Sequence, residues 1–192
     1  YSGSSETNIQ KDIQLIRDNL EKNISFIDTL EEIMKISLTK DFWAINLTNA
    51  LDSSGAAGNY AFSAYTASQV LLGAKSLYTD MRISDLLDKE RSGILELLEY
   101  HHLYPASYLK NNGYTRIQEY NARANFQLIS SKYNREISDE SPKEYHKRYI
   151  SSVSKSKIKE MLDLNALWEG WEEEDYNSFL QKRREHIAKI IK

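Results

Sequence analysis

The chain contains no cysteine, only two prolines and seven glycines, and no apolar run long enough to span a bilayer. Each shortage excludes something. Without cysteine there is neither a disulfide nor a thiolate metal site, and a reducing, cytoplasmic setting is the natural home. Without an apolar run of roughly eighteen residues or a basic-then-apolar leader, a soluble, unexported protein with no membrane partner is expected. The scarcity of helix breakers permits long helices over most of the chain. A length of 192 residues suits one domain, or a domain with an appendage, and suffices to bury a substantial core. The first residue is Tyr1 rather than Met, as expected of a piece of a longer protein.

Net charge is −3, which argues against strong indiscriminate binding to DNA. The charge is nevertheless uneven. Residues 107 to 160 carry eleven Lys or Arg against six acids, a local balance of +5 that leaves −8 for the remainder. Lys110, Arg116, Lys132, Arg135 and Lys143 lie in this basic stretch and are candidate phosphate contacts, each equally readable as an ordinary solvated charge. Thirteen tyrosines could stack on bases, although burial is the commoner use of tyrosine.

The chemistry is concentrated in Glu99-Tyr100-His101-His102-Leu103-Tyr104-Pro105, answered downstream by Asn125 and Asn134. If Leu97 to His102 is a strand, its side chains alternate between faces, so His101 and His102 cannot chelate one metal together. One can ligate a metal while the other faces a reacting phosphate. Pro105, which has no N–H for a ladder, ends the strand. Phe126 to Ser130 reads as a second strand and Lys132 to Ser138 as the start of a helical turn, which would carry Asn134 towards the histidines. Alone, paired histidines at a strand end are more often buried hydrogen-bonding groups or incidental surface residues. The proline, the two asparagines and the apolar strand between them, in this order, raise the catalytic reading.

That ordered set, Glu99-x-His101-His102-x-x-Pro105 with Asn125 and Asn134-Arg135, resembles the ββα-metal (His-Me finger) site of HNH endonucleases. With Ala106-Ser107-Tyr108-Leu109, Ala124-Asn125-Phe126-Gln127-Leu128 and Ser141-Pro142-x-Glu144-Tyr145, it is similar to the C-terminal HNH domain of GmrSD-like, modification-dependent restriction and phage-defence proteins. The resemblance is close over residues 95 to 150 and looser on either side. It implies hydrolysis of DNA, plain or modified, with one metal ion, leaving 5′-phosphate and 3′-hydroxyl ends. By position, His102 would be the general base, His101 and Asn134 the metal ligands, Asn125 a brace for the loop after the first strand, and Glu99 an acid supporting the base or the ligands. His101 stands where the family more often has Asp. That departure leaves the metal open among Mg2+, Mn2+, Ni2+ and Zn2+, because magnesium favours oxygen ligands and imidazole suits the others. Such proteins typically carry an N-terminal nucleotide-binding domain resembling ParB and sulfiredoxin, expected here in the full-length protein, and a homodimer would be one way to bring two sites to a double-strand break.

Elsewhere the pattern predicts helices. Tyr1 to Glu6 reads as a flexible lead, with Thr7 and Gln10 able to form a capping box. Ile9, Ile13, Ile16, Leu20, Ile24, Ile27, Leu30 and Met34 mark one face of a single long helix that would pack on a core. Asp41 to Leu51 predicts a second helix, Asp52 to Asn59 a loop, Tyr60 to Tyr78 a buried helix, Met81 to Leu87 further helix, and Asp88 to Ser92 a charged turn. Ser141-Pro142-x-Glu144 is a helix start. His146 is expected to be non-catalytic. Around Trp168-Glu169-Gly170-Trp171 the tryptophans should dock on the core, and the last helix, Asp175 to Ile191, should turn Phe179, Ile187 and Ile190 inward while Arg183, Arg184 and His186 stay exposed or compensate the helix dipole.

The expected architecture is mainly α, a helical domain with an embedded two-stranded ββα-metal element: an N-terminal helical part over 1–94, the nuclease core over 95–150 and a C-terminal helical cap over 151–192, in one compact domain. The expected activity is that of a metal-dependent HNH-type DNA endonuclease. Two rivals remain open, a degenerate copy that binds nucleic acid or protein without cutting, and an enzyme directed at RNA.

Overall fold

The computed structural model describes residues 5–54, 59–88 and 97–192. The expected turn from residue 89 onward, residues 55–58 of the expected loop, the lead before Ser5 and the first two residues of the expected nuclease core lie outside the described residues. The chain forms two compact units, Tyr1–Asn46 and Leu47–Lys192, and the division falls inside the segment read above as one N-terminal part. Among the described residues no helix is long and apolar enough to cross a membrane.

The first unit contains α1 (Ser5–Glu21), α2 (Phe26–Ser37) and a π-helical turn, Phe42–Asn46. The stripe from Ile9 to Met34 predicts one helix, but the chain breaks at residues 22–25. Asn23 adopts a φ of 61°, a left-handed conformation that asparagine tolerates better than most residues. Ser25 then caps α2 by accepting the Asp28 N–H at 3.1 Å. Thr7 lies inside α1 and is not its cap. The two helices meet through a buried polar contact, the Asn19 amide donating to Thr29 Oγ1 at 3.2 Å and to Glu32 Oε2 at 3.3 Å. Ile9, Ile13, Leu20, Ile27 and Met34 remain about half exposed, which corrects the expectation that the stripe packs a core. Two helices paired along one seam cover only part of such a stripe.

The second unit begins with α3 (Leu47–Ala50), α4 (Tyr60–Leu71) and α5 (Ile83–Leu87) and reaches β1 (Leu98–His102). Then come α6 (Ala106–Asn111), α7 (Ile117–Tyr120), a 3-10 turn at Arg123–Asn125 and β2 (Phe126–Ser130). It closes with α8 (Ser131–Ile137), α9 (Pro142–Ile150), α10 (Lys155–Leu164), a 3-10 turn at Trp171–Glu173 and α11 (Tyr176–Ile191). The described architecture is thus mainly helical with one two-stranded antiparallel sheet.

Local chemistry explains most boundaries. Helix α4 stops at Leu71, short of the predicted Tyr78, because Gly73 takes a φ of 68° and the Ala74 and Gly73 N–H groups bond back to the Gln69 and Val70 carbonyls. The chain from there turns on itself, Lys75 bridging to Arg82, so α5 starts at Ile83 rather than Met81. Helix α9 starts where predicted: Ser141 Oγ accepts the Glu144 N–H at 3.3 Å, the Glu144 carboxylate accepts the Ser141 N–H at 3.2 Å, and Pro142 fills the first turn.

The core gathers Ile129, Ile137, Tyr145, Leu162, Trp171 and Phe179 from six elements. Trp171 docks there as expected, but Arg183 does not stay in solvent: it is fully buried. Its Nη2 donates at 2.7 Å to Gln127 Oε1, which also accepts the Tyr65 hydroxyl at 3.1 Å, and Gln127 Nε2 donates to Asn165 Oδ1 at 2.8 Å. A polar seam therefore runs under β2, and burial lowers the Arg183 pKa below the usual guanidinium value. Arg184 reaches Asp52 at 2.6 Å, and His186 lies half-buried, 5.0 Å from the Trp168 ring.

Two histidines, His101 and His146, are almost wholly buried, and burial holds each at a pKa of about 4 instead of 6.5. A histidine kept neutral in the fold but free to protonate when unfolded costs no stability above pH 6.5 and destabilises as the pH falls towards 4. Urea unfolding of the metal-free protein is expected to lose roughly 2 kcal/mol per histidine between pH 7 and pH 5. His146→Gln should remove one of the two contributions; an unchanged slope in that variant would show that His146 is not held neutral.

Candidate active site

The sheet sets which histidine faces which way. Strand β1 pairs with β2 from Leu98↔Ser130 to His102↔Phe126, and alternation puts Glu99 and His101 on one face and His102 on the other. Helix α8 follows β2 without a linker and packs on both strands. Asn134 on α8 thereby reaches the first face. Its Oδ1 lies 2.8 Å from His101 Nδ1, and its Nδ2 donates to Glu99 Oε2 at 2.7 Å. One amide bridges a buried imidazole and an exposed carboxylate.

His101 is neutral at pH 7, because burial outweighs the opposing bond from Asn134, with the neighbouring His102 lowering its pKa further. Facing the amide oxygen, Nδ1 carries the proton, and Nε2 is buried with no hydrogen-bond partner among the described residues. On the other face, His102 Nε2 lies 2.8 Å from Asn121 Oδ1, and its ring sits 4.3 Å from Phe126. Burial lowers the His102 pKa below 6.5 against the opposing bond from Asn121. With an amide oxygen at Nε2, that nitrogen holds the proton and the Nδ1 lone pair remains available as a base. Asn121 went unpredicted: nineteen residues from His102 and at the end of the four-residue α7, it carries no periodicity or motif that would mark it.

Asn125 works on the backbone. It is fully buried, its Oδ1 accepts the Tyr104 N–H at 2.8 Å, its Nδ2 donates to the Tyr104 and Tyr120 carbonyls at 2.9 and 3.2 Å, and its own carbonyl accepts the Leu103 N–H at 2.8 Å. These bonds clamp the chain leaving β1 directly after His102. Asn125 therefore braces the loop after the first strand.

The five candidate phosphate contacts divide. Lys132 and Arg135 are exposed on α8 beside Asn134. Lys110 Nζ sits 4.6 Å over the Tyr120 ring. Arg116 is paired with Glu119 at 2.6 Å and Lys143 with Glu173 at 2.8 Å, so carboxylates offset both charges.

The residues that the sequence assigns to a metal ion are few. Among the described residues no three His, Cys, Asp or Glu side chains come together as a metal-holding group. The protein's share would be one imidazole nitrogen and one amide oxygen, His101 Nδ1 and Asn134 Oδ1. At 2.8 Å these two atoms are hydrogen-bonded to one another, so holding an ion would replace that bond. His101 is already neutral; to ligate through Nδ1 the ring would have to adopt the tautomer with its proton on Nε2, which has no hydrogen-bond partner among the described residues. Glu99 stands behind Asn134 and fixes its amide orientation.

No family model, no curated protein and no solved structure matches this chain.

Replacing Asn125 by Ala strands the buried Tyr104 N–H and carbonyl, and chemical denaturation is expected to show a loss of roughly 3 kcal/mol. A loss below about 1 kcal/mol would mean that the loop after β1 is held by something else.

Proposed function

We propose that the chain is an HNH-type endonuclease module that hydrolyses phosphodiester bonds of DNA with the help of a divalent metal ion, as the cutting part of a restriction or phage-defence protein. One observation carries this reading: Asn134 on α8 joins Glu99 and His101 on one face of β1, while Asn121 orients His102 on the other. The ββα-metal description of β1, β2 and α8 belongs to the same proposal. So do the Mg2+ or Mn2+ preferred for a site with few protein ligands, the cytoplasmic setting, the nucleotide-binding N-terminal partner domain and the dimer.

Bound at His101 and Asn134, the metal ion would supply positive charge beside the phosphate oxygens. The chain's own residues do the rest. His102 takes a proton from the attacking water at Nδ1, while Asn121 holds its Nε2–H. Glu99 keeps the Asn134 amide turned with its oxygen towards His101. Asn125 holds the strand end from which His102 projects. Lys132 and Arg135 meet flanking phosphates.

The test is nicking of supercoiled plasmid at pH 8 with Mg2+, Mn2+, Ni2+, Zn2+ or a chelator, on plain and modified DNA. Metal-dependent nicking that falls at least about 100-fold in His102→Ala is the expected result. Equal cutting by both proteins would dismiss His102 as the base. Binding of DNA or metal without cutting would favour the rival reading, a non-cutting binding module, and preferential cutting of RNA would redirect the substrate.

A further inference from the structure

A cavity of about 780 Å³ opens in the second unit next to α8, away from the faces of β1, and of its lining the reaction above uses Lys132 alone. Tyr78, Tyr133 and Tyr149 line one part of it. The Tyr78 and Tyr149 rings are stacked, 4.8 Å apart and 24° from parallel, and Tyr133 lies 5.0 Å from Tyr149. Tyr78 is held in place at a cost: its φ of 66° is a left-handed conformation that an aromatic residue rarely adopts. Its hydroxyl meets His146 Nδ1 at 2.8 Å and its N–H meets Met161 Sδ at 3.4 Å, so the strained residue is pinned from both ends. Strain of this kind persists where the surroundings enforce it, and it concentrates at ligand sites.

The charged lining is mixed. Lys75 is spent on Asp80 at 2.7 Å, which leaves Lys132 and Lys157 facing Glu160. Two cations against one acid favour a ligand with few negative charges, and the tyrosines favour a planar one. The volume falls in the range of small-ligand pockets, large enough for a base with its sugar and phosphate. Lys132 and Tyr133 directly precede Asn134 on α8, so a strand lying along this helix passes from the cavity to the candidate site.

We propose that the cavity takes one unpaired base of a nucleic-acid strand, the base against the tyrosines and its flanking phosphates on Lys132 and Lys157. A base inside an intact duplex cannot enter, so the favoured ligand is single-stranded or carries an extruded nucleotide. The inference deepens the nuclease reading by naming the form of the substrate, and it rests on that reading only for what happens to the strand afterwards.

The experiment is fluorescence polarisation of a labelled ten-nucleotide single strand and of the same sequence as a blunt duplex, in chelator so that no cutting intervenes. The single strand should bind at least ten times more tightly than the duplex. Tyr133→Ala and the surface pair Lys132→Glu with Lys157→Glu should each weaken single-strand binding about tenfold or more, whereas Lys11→Glu with Lys22→Glu, an equal charge change in the first unit, should not. Thermal melting checks Tyr133→Ala, and the lysine pair, being exposed, keeps the test alive if that variant unfolds. Unchanged affinity in the lysine pair, equal binding of strand and duplex, or no binding at all would overturn the proposal. The cavity pattern without any metal-dependent cutting would sink the nuclease reading and leave the cavity assignment standing; cutting without the pattern would do the reverse.

Discussion

The register between β1 and β2 governs the second unit, because side chains on a strand alternate with a period of two. A slip of one residue would exchange the faces of His101 and His102 and move Gln127 out of the seam that it shares with Tyr65, Arg183 and Asn165. Two short strands hold little register information in themselves. Here it is held from outside the ladder: Gln127 must satisfy a buried amide, Ile129 must enter the core, and Asn125 must clamp the Tyr104 backbone. Burial without a partner is costly for each of these groups, and only one pairing meets all three needs.

The same condition shapes the site. His101 is buried and neutral and His102 half-buried; burial keeps both pKa values low, and an asparagine rather than a carboxylate orients each ring. An amide bond opposes burial only in part, so both rings stay neutral near pH 7 with one nitrogen unprotonated, the state that the proposed ligand and base roles need.

The second unit is dense with tyrosine and buried polar groups, and these have separate roles. Tyr65 closes the Gln127 seam, Tyr145 donates to the Leu103 carbonyl at 2.5 Å beneath the strand end, and Tyr104 donates to the Trp171 and Glu174 carbonyls. Tyr78 and Tyr149 instead form a wall of an open cavity. Composition could not separate these uses, since a tyrosine in the core and one beside a ligand read alike. The first unit is the opposite case, with its apolar stripe about half exposed and a polar contact between its helices.

The amino-acid sequence by itself determined the short-range features: the capping box at Ser141 and Glu144, the two strands around the His101-His102 pair, the helix after β2, and the opposite facing of the histidines. Each depends on neighbours within a few residues, where hydrogen bonding and alternation act directly. Only the tertiary structure decided that Asn121 meets His102, that Asn134 bridges His101 to Glu99, that Arg183 is buried, and that the stripe from Ile9 to Met34 breaks and remains exposed. The first three depend on groups from 19 to 56 residues apart, whose meeting is set by how the helices pack on the sheet. The last depends on how much surface two helices can cover, which no periodicity records.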